Sequence, residues 1–156
     1  MRKIVLGLVV VSSLLFSYTM DFDKNTVGLV RNLKVYKAPE WVSKIELRNG
    51  KKIFFSSPKS MFEFYFRPGK WFDMGVKSED DFKVILVTDF KTLKPINARG
   101  AFYIYGANVI SPGGDDLIPF ASYKDAQEFS KKHNGTRILS FKEVSDGLIR
   151  LINGRI

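Results

Sequence analysis

Residues 55–64 read FSSPKSMFEF and residues 120–129 read FASYKDAQEF. Laid over one another at an offset of 65, Phe55 meets Phe120, Ser57 meets Ser122, Lys59 meets Lys124, Glu63 meets Glu128 and Phe64 meets Phe129. Each stretch has the same grammar. An aromatic strand end comes first, then a Ser whose hydroxyl can accept from the orphan N–H groups of a first helical turn, then apolar residues at helical spacing. In the first copy Pro58 occupies the first helical position, where a missing N–H costs nothing, and Met61, Phe62, Tyr65 and Phe66 follow before Pro68 and Gly69 end the helix. In the second, Asp125 holds the capping-box position, Tyr123, Ala126 and Phe129 mark the buried face, and Asn134 with Gly135 stops the helix.

Working outward, Trp41 to Leu47 (WVSKIEL) reads as a strand, Asn49-Gly50 as a turn, and Lys51 to Phe55 as the returning strand. Phe82 to Phe90 and Ala101 to Asn108 are strands rich in branched and aromatic residues, and Leu117 to Phe120 is a short return strand. By the repeat, the intervening loop GANVISPGGDDLIPF, residues 106–120, is the hairpin turn of the second unit, where Gly113 and Gly114 allow a tight reversal. Arg137 to Phe141 adds a strand, and Phe141 to Leu151 a last helix. The expectation is one α+β domain of two related strand-strand-helix units, near residues 41–67 and 101–134, with an extra C-terminal strand and helix.

The first 19 residues stand apart. Arg2 and Lys3 precede an apolar run from Ile4 to Phe16, followed by Ser17, Tyr18 and Thr19, which is the layout of a signal peptide or an uncleaved N-terminal anchor. The run is shorter than the roughly 20 residues a spanning helix needs. With no Cys among 156 residues, lipid attachment through a cysteine, disulfides and thiolate ligands are all excluded. The domain, residues 20–156, stays basic after the first 17 residues and their two cations are removed from a formal charge of +9. For an exported chain that charge points to acidic partner proteins or anionic lipid headgroups. Nucleic acid is not expected, because no zinc pattern, RNP-like strand or helix-turn-helix signal is present.

No catalytic constellation is legible. A serine nucleophile would need His133, the chain's one histidine, as base; but KKHNG ends a helix, where an imidazole caps carbonyls. Asp115 and Asp116 are neighbours, so in extended chain they face opposite ways and cannot share a proton. Asp21 and Asp23 lack the spacing and glycine of a calcium loop. Met61 belongs to a helix's apolar face and Met74 to a loop. In FEFYFRPGKWF, residues 62–72, helical spacing sends most rings to the core and leaves Trp71 and Phe72 as candidate anchors for a partner protein.

The segment from Pro95 to Val144 resembles the NosL family, the exported copper-binding accessory proteins of nitrous oxide reductase assembly. It carries, in that family's order, an Ala-containing strand, a glycine turn, a Gly-Pro-type loop, the Pro119-Phe120 pair, a capped helix with Ala and Phe, and a closing strand. The first half is similar as well: Val27-Gly28-Leu29 falls where the family has Cys-Gly-Met, ahead of Trp41, the Asn49-Gly50 hairpin and Met61-Phe62. The resemblance implies a periplasmic protein of two strand-strand-helix units, distantly similar to organomercurial lyase, that handles Cu(I). It also implies where the metal would sit. The family's Cys, Met, loop Met and His positions are here Val27, Leu29, Gly113 and Asp115. Cu(I) prefers thiolate and thioether donors, with imidazole acceptable, so these four residues form no such site.

The expectation is therefore a non-enzymatic, NosL-like accessory protein, with no assigned cofactor beyond the Cu(I) its family implies, that meets nitrous oxide reductase or its assembly proteins. The candidate partner surface is Trp71, Phe72, Pro112, Gly113, Gly114 and Asp115. A generic periplasmic or membrane-surface binding module that keeps the fold alone is the alternative.

Overall fold

The computed structural model describes residues 18–154; most of the signal or anchor segment lies outside the described residues. The first unit is built from β1 (Ser43–Leu47), β2 (Lys52–Phe55), α1 (Pro58–Phe66) and β3 (Phe82–Thr88), with β4 (Pro95–Asn97) on its far edge. The second is built from β5 (Phe102–Tyr105), β6 (Ile118–Phe120), α2 (Tyr123–Lys132) and β7 (Arg137–Ser140), followed by α3 (Asp146–Ile152). The sheets run β2-β1-β3-β4 and β6-β5-β7, every neighbouring pair antiparallel. In both, the strand after the helix returns to pair with the first strand of its unit. The shared unit is thus strand-strand-helix-strand, one strand longer than the sequence suggests.

Unit ends coincide closely. Ser43 pairs with Phe55 and Val87, and Phe102 pairs with Phe120 and Ser140. The loops differ. Asn49-Gly50 closes the first hairpin, Gly50 taking φ 88°, whereas β5 and β6 are joined by residues 106–117. That connection is no tight reversal: Ser111 and Gly114 pair across a small turn at its tip, with Gly114 at φ 92° and Gly113 outside the left-handed region. At its base Gly106, at φ 79°, lies where a Cβ would come within 2.3 Å of Thr136 Oγ1.

The helix caps follow the sequence. Ser57 Oγ accepts from Ser60 N, Pro58 starts α1, and Ser122 Oγ accepts from Asp125 N. Two expectations fail. Asp125 does not complete a capping box, because its carboxylate pairs with Lys91 at 2.6 Å. Tyr123 is 49% exposed, its ring edge-on to Phe102 rather than inside the core. Strand ends also retreat: Trp41 belongs to a short 3-10 turn, Pro39–Trp41, and Tyr105 ends β5 three residues early. The last helix is split as well. Phe141–Glu143 is a 3-10 turn, Val144 is extended and buried, and Ser145 caps α3 by accepting from Leu148 N.

α1 is the central layer. Phe55, Ile45, Ile85 and Val87 join its core from the first sheet, Tyr103 and Leu139 from the second, and Phe141 from the 3-10 turn that follows β7. Phe62 lies 5.3 Å from the Tyr103 ring and 5.1 Å from that of Phe141, and is fully buried, so its side chain contributes about 2–3 kcal/mol by burial. Tyr103 donates its hydroxyl to Ala98 O at 2.7 Å, and burial pushes its pKa well up, so the phenol stays neutral. α2 covers the opposite face of the second sheet through Ala126 and Phe129 against Ile104, Ile118 and Phe120. The outer face of the first sheet is covered by the N-terminal strap, where Met20 packs with Val42 and Leu86 and Thr19 O accepts from the buried Lys44 Nζ. Among the described residues, no helix is long and apolar enough to cross a membrane.

Candidate functional site

Two loops from distant parts of the chain meet at the N-terminal end of α1. The first, residues 23–34, is wound by Asp23, whose Oδ1 accepts from Asn25 N at 2.8 Å and Thr26 N at 3.0 Å; these bonds lower the Asp23 pKa. Gly28 N donates to Leu33 O, and Leu29 N donates to Phe54 O, each at 2.8 Å, which lays the loop against β2. Gly28 is required there. A Cβ on it would stand 2.8 Å from Ser56 N and 3.3 Å from the Phe55 carbonyl carbon, both backbone atoms.

The second is the 106–117 connection. Ser111 Oγ accepts from Gly113 N at 3.0 Å and donates to Asp116 Oδ2 at 2.8 Å. Asp116 Oδ1 accepts from its neighbour Leu117 N at 2.9 Å and from Lys59 N, in the first turn of α1, at 2.8 Å. Lys59 completes the tie by donating Nζ to Gly113 O at 2.9 Å. Both side chains are buried. Burial pushes the Asp116 pKa up, against the lowering effect of bonds from Ser57, Leu117, Ser111 and Lys59. Burial likewise pulls Lys59 down, with Asp116 acting the other way. Asp115 is exposed beside it. The adjacent aspartates do face opposite ways, and the buried one is a structural tie that sequence spacing did not reveal.

The residues singled out from sequence divide accordingly. Gly113 comes close to the first loop: Arg31 Nε stands 3.6 Å from the place a Cβ at Gly113 would occupy. Arg31 is held there by donating Nη2 to Asn153 Oδ1 at 2.5 Å, and Asn153 Nδ2 donates onward to Glu63 Oε2 at 3.2 Å. Val27 is 44% exposed, and Leu29 is half-buried with its side chain packed on the main core. The loops that carry Val27, Leu29, Gly113 and Asp115 are thus neighbours, with the cations Arg31 and Lys59 set beside Gly113. Arg31 carried no signal in sequence, since a lone arginine in a polar loop resembles any solvated cation.

Trp71 and Phe72 lie elsewhere. They follow the C-terminal end of α1, whose nine residues span about 13 Å, while the loop meets its first turn. Phe72 is 87% exposed, but Trp71 is half-buried with its ring 5.8 Å from Phe64. The candidate partner surface is therefore two patches, and of this pair only Phe72 stands free. Met20 and Met61 are buried and Met74 packs against the core. His133 N donates to Phe129 O at the end of α2, and its ring stacks on Phe129 at 4.1 Å. Among the described residues, no three His, Cys, Asp or Glu side chains converge as metal ligands would.

The model of the NosL family matches residues 19–149. The crystal structure of the copper chaperone NosL from Shewanella denitrificans superimposes with a TM-score of 0.70 at 20% identity, covering 84% of this chain and 98% of that one. The solution structure of apo-NosL from Achromobacter cycloclastes gives a TM-score of 0.40 at 20% identity, over 69% of this chain and 87% of that one. No curated protein matches the chain.

Proposed function

The chain belongs to the NosL family, whose structurally characterised member from Shewanella is a copper chaperone, and on that premise we propose an accessory protein that works by protein contact rather than by carrying copper at the family's site. The observation that carries this reading is the chemistry beside Gly113. The four positions where the family's donors fall hold Val27, Leu29, Gly113 and Asp115, of which the first three offer no side-chain donor and the last a hard oxygen unsuited to Cu(I). Arg31 and Lys59 then set two positive charges next to the loop, and a cation there repels a metal ion.

Export and a role in nitrous oxide reductase maturation belong to the same proposal. Arg2, Lys3 and the apolar run from Ile4 to Phe16 support export. The role rests on family membership, and the fold that would present it is retained across nearly the full length of the Shewanella chaperone. It includes the exposed Pro112, Asp115 and Phe72 as contact points.

A Cu(I) competition titration against a chromogenic chelator tests the reading, combined with co-purification from cells that express the reductase. The expected result is that the chelator keeps the metal while the reductase or an assembly protein co-purifies. Tight one-to-one uptake of Cu(I) would overturn the loss of the site. Recovery of neither copper nor reductase would leave the generic binding module as the better account.

A further inference from the structure

The N-terminal strap is part of the folded domain from Thr19 onward, two residues short of the boundary that the sequence suggests. Met20 is 9% exposed and shares an apolar cluster with Val35, Val42 and Leu86, against which Phe22, Phe54 and Val84 pack. Beneath the strap lies Lys44, 2% exposed, whose Nζ donates to Thr19 O at 2.5 Å. Among the described residues no other acceptor takes a hydrogen bond from that ammonium. A buried cation stripped of its partner is strongly destabilising, so the Thr19 carbonyl is a structural part of the domain. The strap turns at Asp21, which takes φ 52°. Thr19 Oγ1 donates to Asp21 Oδ2 at 2.5 Å, and Asp21 pairs with Lys52 at 3.8 Å, which holds that turn on the sheet.

This clasp bears on where an export leader ends. Small residues one and three places before a bond mark it for removal, and Ser17 with Thr19 is the nearest match after the apolar run, which points to the bond between Thr19 and Met20. The fold opposes a break there. It would remove the acceptor of Lys44 and leave a new α-ammonium on Met20, within about 5 Å of Lys44 Nζ because the oxygen and nitrogen of one peptide group are about 2.3 Å apart. Two like charges that close repel, and both would sit where the strap excludes water. We propose that the leader is removed at the bond between Ser17 and Tyr18, so that the exported chain begins at Tyr18 and keeps Thr19 as the clasp on Lys44; the assignment rests on export as proposed above. Ser17 supplies the small residue before that bond, and the new α-ammonium falls on Tyr18, which is 38% exposed.

The test is N-terminal sequencing and intact mass of the full chain expressed in an exporting bacterial host, with exported and cytoplasmic material collected separately. Exported chain beginning at Tyr18 is expected. Exported chain that begins at Met20, or that retains Met1, would overturn this inference and leave export standing. Chain found with Met1 in the cytoplasm alone would remove the export reading and this inference together. The clasp is read independently by acylating the amines of the folded protein and mapping the labelled peptides by mass. Lys44 should label about tenfold or more slowly than Lys52, whose side chain is 45% exposed, because it reacts only when the strap opens. Met20→Asp puts a charge into the apolar cluster and should release the strap, bringing Lys44 to a rate comparable to that of Lys52. Equal labelling of Lys44 and Lys52 in the unaltered protein would overturn the clasp, and with it the reason for keeping Thr19.

Discussion

Replacing Asp116 by Ala tests the central tie between the two units. The carboxylate accepts from Lys59 N, from Leu117 N and from the Ser111 hydroxyl, all inside the protein. Each buried donor left without an acceptor costs about 1–3 kcal/mol, and relief of a desolvated charge returns part of that sum, so a net loss near 3 kcal/mol is expected. For a chain of this size, with an m value of about 2 kcal/mol/M, the urea midpoint should fall by roughly 1.5 M. Asp116→Asn keeps an acceptor for the two backbone donors and should lose less than half as much. The comparison has a pH dependence of known sign. Because burial raises the folded-state pKa of Asp116 above the ordinary 3.8, the native state holds this proton more tightly than the unfolded chain. Its contribution to stability is fully present below pH 3.8 and is lost as pH rises through the folded-state value. The wild type should therefore gain on Asp116→Asn as pH falls through that window. An Asp116→Ala midpoint within a few tenths molar of wild type would refute the tie. A pH-independent difference between wild type and the Asn variant would refute the raised proton affinity of this buried carboxyl.

Gly28→Ala should cost about 1–3 kcal/mol in urea unfolding, because the added Cβ meets backbone atoms of Ser56 and Phe55 that cannot rotate away; an unchanged midpoint would show that the loop lies free of β2. Restoring the family's donors with Val27→Cys, Leu29→Met, Gly113→Met and Asp115→His should yield Cu(I) binding only weakly while Arg31 remains. Adding Arg31→Ala should raise affinity about tenfold or more, read by the same chelator competition, and equal affinities with and without Arg31 would remove that cation from the argument.

The sequence was most legible where local chemistry decides. Ser57-Pro58 and Ser122 mark helix starts because few residues can satisfy a first turn, and Asn49-Gly50 marks a hairpin because a positive φ is needed there. Val144 and Tyr123 show where that reasoning stops. Periodicity ran one helix through Val144, yet the core took that side chain in extended form and Ser145 began the helix anew; the same periodicity buried Tyr123, which the sheet leaves half outside. The site was legible as a set of missing donors. What stands beside them, Arg31 and Lys59, was not.

Taken alone, the sequence determined the repeated strand-strand-helix grammar and the absence of thiolate chemistry, since each depends on residue type and short spacing, while the residues at the donor positions were placed by the family resemblance. The tertiary structure alone decided that a third strand closes each unit, that Asp116 is buried on the first turn of α1, and that Arg31 reaches Gly113 from 82 positions away along the chain. The physical reason is that burial and Coulomb interaction depend on distance in space, and a polar residue's neighbours across a folded core leave no periodic trace in its own stretch of chain.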